Sequence, residues 1–307
     1  MKATSVIKTG SQCNNNCVFC IQEDDRYIKN TMSTEKIKEI LKNNYAISKE
    51  VVLTGGEVTI RKDIFEIVKF AKKCGYKTIQ IQSNGRMFFY IDFCKKLIDS
   101  GANEFGVSIH GSNAKIHDNL IGIRNGFEQV HTGLTNLKKL NQRICINTVI
   151  TNINYKDLIN IFGIVRNFEV YEYCLSFLYI NRNILKDKKL IEEFVPRYNK
   201  IRPYVEEVLQ KGIDFNFNMK TEAFPFCTLG EKYHSFVKKL CIPRSVVYEV
   251  DGIFNFQKDN TRSDIGKKKF EKCNKCKFYN ICEGSWISYA KIFGSDEFIP
   301  IIKKNKI

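Results

Sequence analysis

The sequence predicts an α/β fold: a partial (β/α)6 TIM-like barrel with a small, cysteine-rich C-terminal extension. Three observations predict it. Six short apolar segments alternate with amphipathic ones over about the first 210 residues, the mark of βαβ units and a parallel sheet. Polar, often glycine-containing turns follow these strand segments, where parallel α/β folds place their chemistry. After residue 212 the periodicity changes and a tight group of cysteines appears. The expected division is residues 1–212 for the barrel and 213–307 for the extension.

The elements follow in order. Residues 5–9 read as a short strand that leads into a cysteine-rich loop, and 33–41 as an amphipathic helix opened by Ser33. Residues 50–54 are a buried-type strand followed at once by Gly55-Gly56-Glu57. A helix over 63–73 is closed by Gly75, and a strand over 77–82 ends in Ser83-Asn84-Gly85. A helix over 90–100 is closed by Gly101, and a strand over 104–109 ends in His110-Gly111. Helix 126–140, strand 144–150, helix 155–165 and strand 173–179 complete six units. A longer helix over 188–209 is expected to be interrupted near Pro196 and Pro203, because proline removes a helix donor and crowds the preceding turn. Beyond it, alternation over 213–218 predicts an edge strand, and 247–254 a hairpin turning at Asp251-Gly252.

With 43% hydrophobic residues and only 5 prolines among 307, the chain can bury a sizeable core. No apolar run reaches the roughly 18 residues a membrane span needs, and the first seven residues are too polar for a signal peptide. A cytoplasmic protein without a membrane partner is expected. The net charge of +16 admits a nucleic-acid partner. The lysines, however, are spread along amphipathic helices instead of clustering with aromatics, so nucleic acid is disfavoured as the substrate.

Twelve cysteines in such a chain argue for metal rather than disulfides. Cys74, Cys94, Cys145 and Cys174 stand alone in apolar or amphipathic stretches and read as small buried hydrophobes. Cys13, Cys17 and Cys20 are spaced C-x3-C-x2-C, with the aromatic Phe19 before the last of them. A closed tetrahedral site wants four ligands. Three thiolates can instead hold three irons of a [4Fe–4S] cubane and leave the fourth open. This loop resembles the signature of the radical S-adenosylmethionine (AdoMet) superfamily. The resemblance implies a cluster on Cys13, Cys17 and Cys20 whose open iron chelates AdoMet, and a partial barrel fold. It also implies reductive cleavage of AdoMet to a 5′-deoxyadenosyl radical. An external one-electron donor such as flavodoxin or ferredoxin would drive that cleavage.

Other segments extend the resemblance. Gly55-Gly56-Glu57 is similar to the family's GGE motif. There the glycines admit close backbone approach, and the carboxylate of Glu57 is expected to pair with the AdoMet ammonium. Ser83-Asn84 resembles the Thr-Asn-Gly turn of relatives, Ser108 a serine near the methionyl or ribose groups, and Asn147 a polar residue at the barrel mouth. Turn chemistry or internal hydrogen bonding is the alternative for these residues, and the cofactor-binding reading is favoured. Arg124 lies out of register for a carboxylate-binding arginine and is not assigned.

Near the C-terminus, Cys273, Cys276 and Cys282 form C-x2-C-x5-C-x-G. This resembles the SPASM and Twitch extensions of the superfamily, which hold auxiliary [4Fe–4S] clusters; alone it could be half a zinc ribbon. A full SPASM pattern would carry a cysteine four residues after Cys282, where Trp286 stands, and another in the 253–256 stretch. One auxiliary cluster is therefore expected, its fourth ligand being Cys227 or Cys241, with Cys227 favoured. If neither binds, the cluster has an open iron.

The resemblance points to a radical enzyme that abstracts a substrate hydrogen, with a peptide or protein as the favoured substrate. A small molecule (sugar, cofactor precursor or amino acid) or RNA is the alternative. A different class, a non-enzymatic zinc or Fe–S regulator binding nucleic acid, leaves Gly55-Gly56-Glu57 unexplained.

Overall fold

The computed structural model describes residues 4–22, 31–239, 245–249, 252–254 and 266–302. Seven parallel strands run in chain order: β1 (Thr4–Lys8), β2 (Glu50–Thr54), β3 (Thr78–Ser83), β4 (Glu104–Ser108), β5 (Arg143–Ile150), β6 (Glu172–Phe177) and β7 (Met219–Glu222). Each pairs with its predecessor. The sheet curls into a partial barrel flanked by helices. Two further strands close on its other edge: β8 (Ser245–Glu249) pairs in parallel with β1, and β9 (Gly252–Phe254) returns antiparallel to β8.

The helices are α1 (Thr34–Asn44), α2 (Ile64–Cys74), α3 (Ile91–Ser100), α4 (Ala114–Ile121), α5 (Gly126–Lys139), α6 (Leu158–Arg166), α7 (Arg182–Lys186), α8 (Lys188–Phe194), α9 (Tyr198–Asp214) and α10 (Ile287–Phe293). Their ends follow local chemistry. The Ser33 side chain accepts from the Lys36 amide and caps α1, satisfying one orphan donor of the first turn. Gly75 ends α2 with φ +93°, a left-handed conformation that costs glycine nothing.

Strand alternation sorts the side chains into two faces. On β5, Ile144, Ile146, Thr148 and Ile150 are buried. On β6, Tyr173 meets Phe162 of α6 and Phe177 stacks 4.1 Å from Tyr198 of α9. The opposite, inner face carries Ser108, Asn147 and Ser176, and is polar: the Ser176 hydroxyl donates to Asn147 Oδ1 at 2.6 Å. A barrel whose inner face holds polar groups near the strand C-termini can bind a polar ligand there.

Two expectations change, and a third is met. The alternation over 213–218 is not a strand: α9 runs to Asp214, and Asn216 turns the chain with φ +49°. Phe215 and Phe217 then pack on Phe162 at 6.3 and 5.4 Å, so the period of two reflects a turn placing alternate rings on one neighbour. The edge strand is β7, a few residues later. The predicted 188–209 helix breaks at Pro196 into α8 and α9, but Pro203 stays inside α9. The 247–254 hairpin pairs Glu249 with Gly252, and its linking residues, Asp251 among them, lie outside the described residues.

Candidate active site

The cysteine loop sits at the C-terminal edge of the sheet, seated on the β2 turn. The β1–β2 pairing continues past both strands. Thr9 N donates to Thr54 O (2.8 Å), Gly56 N to Gly10 O (2.7 Å) and Glu57 N to Gln12 O (2.7 Å). A Cβ on Gly55 would lie 2.5 Å from Gly10 O, and one on Gly56 only 2.2 Å from Gln12 O. The two glycines therefore let the backbone next to Cys13 come down onto β2. Gly122, after α4, does the same on the far side: a Cβ there would meet Asn16 O at 2.7 Å, and Asn16 N donates to Ile121 O.

Glu57 is buried, and its carboxylate is held from within the protein. Oε1 accepts from the Thr59 amide (2.9 Å) and hydroxyl, and Oε2 accepts from the Asn84 amide at 2.6 Å. Burial raises its pKa, and the bonds from Thr59, Asn84 and Ser83 partly offset that. Ser83 also accepts from Gly85 N in the turn. Asn84 Nδ2 donates to Asn14 Oδ1 at 2.7 Å and lies 4.0 Å from Cys13 Sγ. The GGE motif and the Ser83-Asn84 turn thus form one hydrogen-bonded unit beneath Cys13. Cys13 Sγ also faces the Asn15 amide at 3.4 Å, the kind of donor that stabilises a thiolate.

Three further residues fix the loop, and local sequence patterns gave no sign of them. Arg86 starts the turn after β3; its Nη1 donates to Asn14 O and Asn15 Oδ1, and its Nε to Gln129 on α5. Asn181, which caps α7 by accepting from Ile184 N, donates to Val18 O (2.9 Å) and Cys20 O (3.3 Å). His110, at the end of β4, packs edge-on against Phe19 at 4.9 Å. Cys13, Cys17 and Cys20 are all half-buried and free of disulfides. Ser108 and Asn147 are paired across β4 and β5 on the inner face, and the β3–β4 register sets Ser83 opposite Val107, one residue before Ser108.

His110 and His117 stack at 5.9 Å behind Phe19. His110 Nδ1 accepts from Val149 N, and His117 Nδ1 accepts from His110 N. Burial lowers both pKa values: that of His110 goes well below its ordinary value, helped by the neighbouring His117, and that of His117 falls to about 4 against a small opposing pull from Asp118. A base whose folded pKa is depressed contributes stability that is whole above its unfolded pKa and lost as pH falls toward the folded one. The window for His117 is therefore pH 6.5 to about 4. By pH 5 the loss from this residue is expected to be roughly 2 kcal/mol. Urea denaturation at pH 7.5 and pH 5 should show that drop, and His117→Asn should shrink it.

A second group of thiols gathers under the C-terminal segment. Cys227, Cys273, Cys276 and Cys282 border one small cavity, together with Phe270, Tyr279 and Ser285. Phe226 stacks on Phe278 at 4.2 Å and so turns Cys227 toward the 273–282 loop. Burial, then the neighbouring thiols of Cys282, Cys273 and Cys276, pushes the Cys227 thiol up to about 12. Cys282 Sγ faces the Gly284 amide at 3.4 Å. Gly284 has φ +79°, and a Cβ there would strike Lys268 O at 2.3 Å. The two-stranded ladder β10 (Lys267–Lys268) and β11 (Ser285–Trp286) flanks this cavity. Trp286, at the position where a further cysteine would extend the pattern, packs on Tyr179 just past β6 at 5.1 Å. Cys241 lies outside the described residues. Among the described residues, no three His, Cys, Asp or Glu side chains converge closely enough to hold a single metal ion. The two cysteine groups are loops of spaced thiols with backbone donors at sulfur, a donor set that fits iron–sulfur clusters. No helix among the described residues is long and apolar enough to cross a membrane.

Residues 7–163, just over half of the chain, match the family model described as the Radical SAM superfamily. An AdoMet-dependent heme synthase of Methanosarcina barkeri is 29% identical over 168 residues, 54% of this chain and 48% of its own length. A probable GTP 3′,8-cyclase of Saccharolobus islandicus is 33% identical over 124 residues, 40% of this chain and 39% of its own. The chain thus spans about half the length, or less, of these curated relatives. Among solved structures, Streptococcus suis SuiB superposes with a TM-score of 0.70 at 16% identity, covering 98% of this chain and 76% of SuiB. It has also been solved bound to the precursor peptide SuiA. anSMEcpe with bound AdoMet superposes with a TM-score of 0.67 at 17% identity, covering 97% of this chain and 93% of that one. At such identities these likenesses establish the fold.

Proposed function

The chain belongs to the Radical SAM superfamily, and on that premise we propose that it cleaves AdoMet reductively and abstracts a hydrogen from a peptide or protein substrate. The observation that carries the proposal is the pair of cysteine sites on one fold: Cys13, Cys17 and Cys20 on the β2 turn, and four thiols around one cavity beside the barrel. Residues 1–212 would hold the first site and 213–307 the second, the latter segment also lending β7 and β8 to the barrel sheet.

The first cluster, when bound, supplies one electron to AdoMet and yields the 5′-deoxyadenosyl radical. Cys13, Cys17 and Cys20 would hold it. Glu57 and Asn84 brace Cys13 from below, while Arg86 and Asn181 fix the two ends of the loop. Phe19, backed by His110, gives an apolar wall. Gly55 and Gly56 set the loop height. Ser108 and Asn147 offer polar groups on the inner face for AdoMet or substrate. Glu57 was expected to meet the AdoMet ammonium directly. Its internal bonds support a bracing role as well, and any contact with AdoMet would share an oxygen already engaged. Cys227, Cys273, Cys276 and Cys282 would hold the auxiliary cluster with all four irons ligated, so substrate would not bind it directly.

Kinship of fold with SuiB and anSMEcpe favours a peptide. The names of the curated relatives, a heme synthase and a GTP cyclase, keep the small-molecule alternative in view. Deuterium transfer separates the two. Reconstituted protein is incubated with AdoMet, dithionite and a deuterated candidate peptide, chosen from a short reading frame beside the gene. Deuterium in the 5′-deoxyadenosine supports the proposal. Label arriving only from a deuterated small molecule would replace the peptide reading.

A further inference from the structure

The cavity that gathers Cys227, Cys273, Cys276 and Cys282 is otherwise lined by rings, prolines and small residues, and by two lysines, Lys268 and Lys269. Among the described residues, no carboxylate lines it. The local fold brings the lysines there. Lys268 pairs with Ser285 in the β10–β11 ladder. Gly284, two residues past Cys282, lies directly against that strand: a Cβ on Gly284 would meet Lys268 O at 2.3 Å and Lys269 Cγ at 3.2 Å. The stem of Lys269 therefore runs beside the segment that carries Cys282.

The two lysines are held differently. Lys269 is half-buried. Its Nζ donates to Tyr279 O at 2.7 Å and lies 4.4 Å from the centre of the Tyr279 ring, which itself borders the cavity. That partner is a neutral carbonyl, whereas Lys267 and Lys277 are paired with the carboxylates of Glu283 and Glu231. Burial raises the Cys282 thiol; bonds from the Gly284 and Phe226 backbone oppose that, and so does the Lys269 charge. Lys268 is exposed, its ammonium 5.3 Å from the Phe270 ring, so water and salt screen it.

A cluster held by four thiolates is anionic and gains a further negative charge on reduction. Its potential follows net charge and surroundings. A cation pinned at the cavity wall favours the reduced form. We propose that the ammonium of Lys269 raises the reduction potential of the cluster held by Cys227, Cys273, Cys276 and Cys282, and so fits this site to accept an electron. The proposal rests on the reading that these four thiols hold a cluster. Lys268, screened by solvent, contributes less.

The test is an EPR-monitored redox titration of the Cys13/Cys17/Cys20→Ala variant, reconstituted with iron and sulfide so that the auxiliary cluster alone is read. Lys269→Gln in that background should keep about four irons. It should lower the ratio of reduced to oxidised cluster at a fixed potential about tenfold, a fall in midpoint of about 59 mV for one electron. A unit charge at the wall of a protein cavity has an effect of about that order. Lys269→Arg should keep the parent midpoint, and Lys268→Gln should move it less than Lys269→Gln. If Lys269→Gln loses its iron, Lys269→Met, which keeps the apolar stem, carries the same expectation. An unchanged midpoint in the neutral variant, an equal fall in Lys269→Arg or a larger one in Lys268→Gln would overturn the proposal. So would loss of iron from both neutral variants, which would make Lys269 a structural clamp. A background protein that takes up no cluster would instead overturn the reading on which the proposal rests.

Discussion

Gly56→Ala is expected to empty the first cysteine site while leaving the second filled. The new Cβ would stand 2.2 Å from the carbonyl oxygen of Gln12 and 2.4 Å from that of Ser11. Both are backbone atoms, so no side chain can swing away. Relief requires lifting residues 11–12 off β2, which breaks the bond from Glu57 N to Gln12 O and moves Cys13 away from Asn84 and Asn15. Overpacking of this kind costs about 1–3 kcal/mol where neighbours can adjust, and more where they are backbone. Iron content should fall from about eight to about four per chain. The broad absorption of the remaining cluster should persist, and AdoMet cleavage should be lost. Iron analysis with anaerobic absorption spectroscopy checks this. Full iron content in the variant would mean that the loop is not seated as described.

Cys227→Ala is expected to have the mirror effect. Cys273, Cys276 and Cys282 come from one ten-residue loop, and Cys227 is the thiol brought to the same cavity from elsewhere by the Phe226–Phe278 stack. Removing it in a Cys13/Cys17/Cys20→Ala background should abolish or strongly reduce the remaining EPR signal. Cys241→Ala in that background should change the signal little. Loss of the signal only in the Cys241 variant would reverse the ligand assignment. An intact signal in both would mean an open iron on the auxiliary cluster, available to substrate.

Much of this architecture was legible in the chain itself, for identifiable reasons. Buried strands alternate with amphipathic helices, and that period survives without knowledge of contacts. The three N-terminal cysteines form one local motif and Gly55-Gly56-Glu57 another, and each can be read without knowing its partner in space. The absence of a cysteine at position 286, where Trp286 stands, is why the sequence leads one to expect a single auxiliary group of thiols.

What escaped reading depends on long-range geometry. Asn181 meets Val18 across 163 positions, and Arg86 meets Asn14 across 72. Neither residue type at either position signals its partner. The seventh strand was displaced because Phe215 and Phe217 alternate for packing against Phe162, not for pairing in a sheet. The engagement of Glu57 with Thr59 and Asn84 was also hidden, since a glutamate after two glycines looks the same whether it faces ligand or neighbour.

The central claim is that Cys13, Cys17 and Cys20 serve reductive AdoMet cleavage. The most direct measurement is 5′-deoxyadenosine produced from AdoMet and dithionite under anaerobic conditions, by the reconstituted protein and by its Cys13/Cys17/Cys20→Ala variant. The account predicts deoxyadenosine from the first and none from the second, with the variant retaining about four irons. Undiminished deoxyadenosine from the triple variant would contradict it.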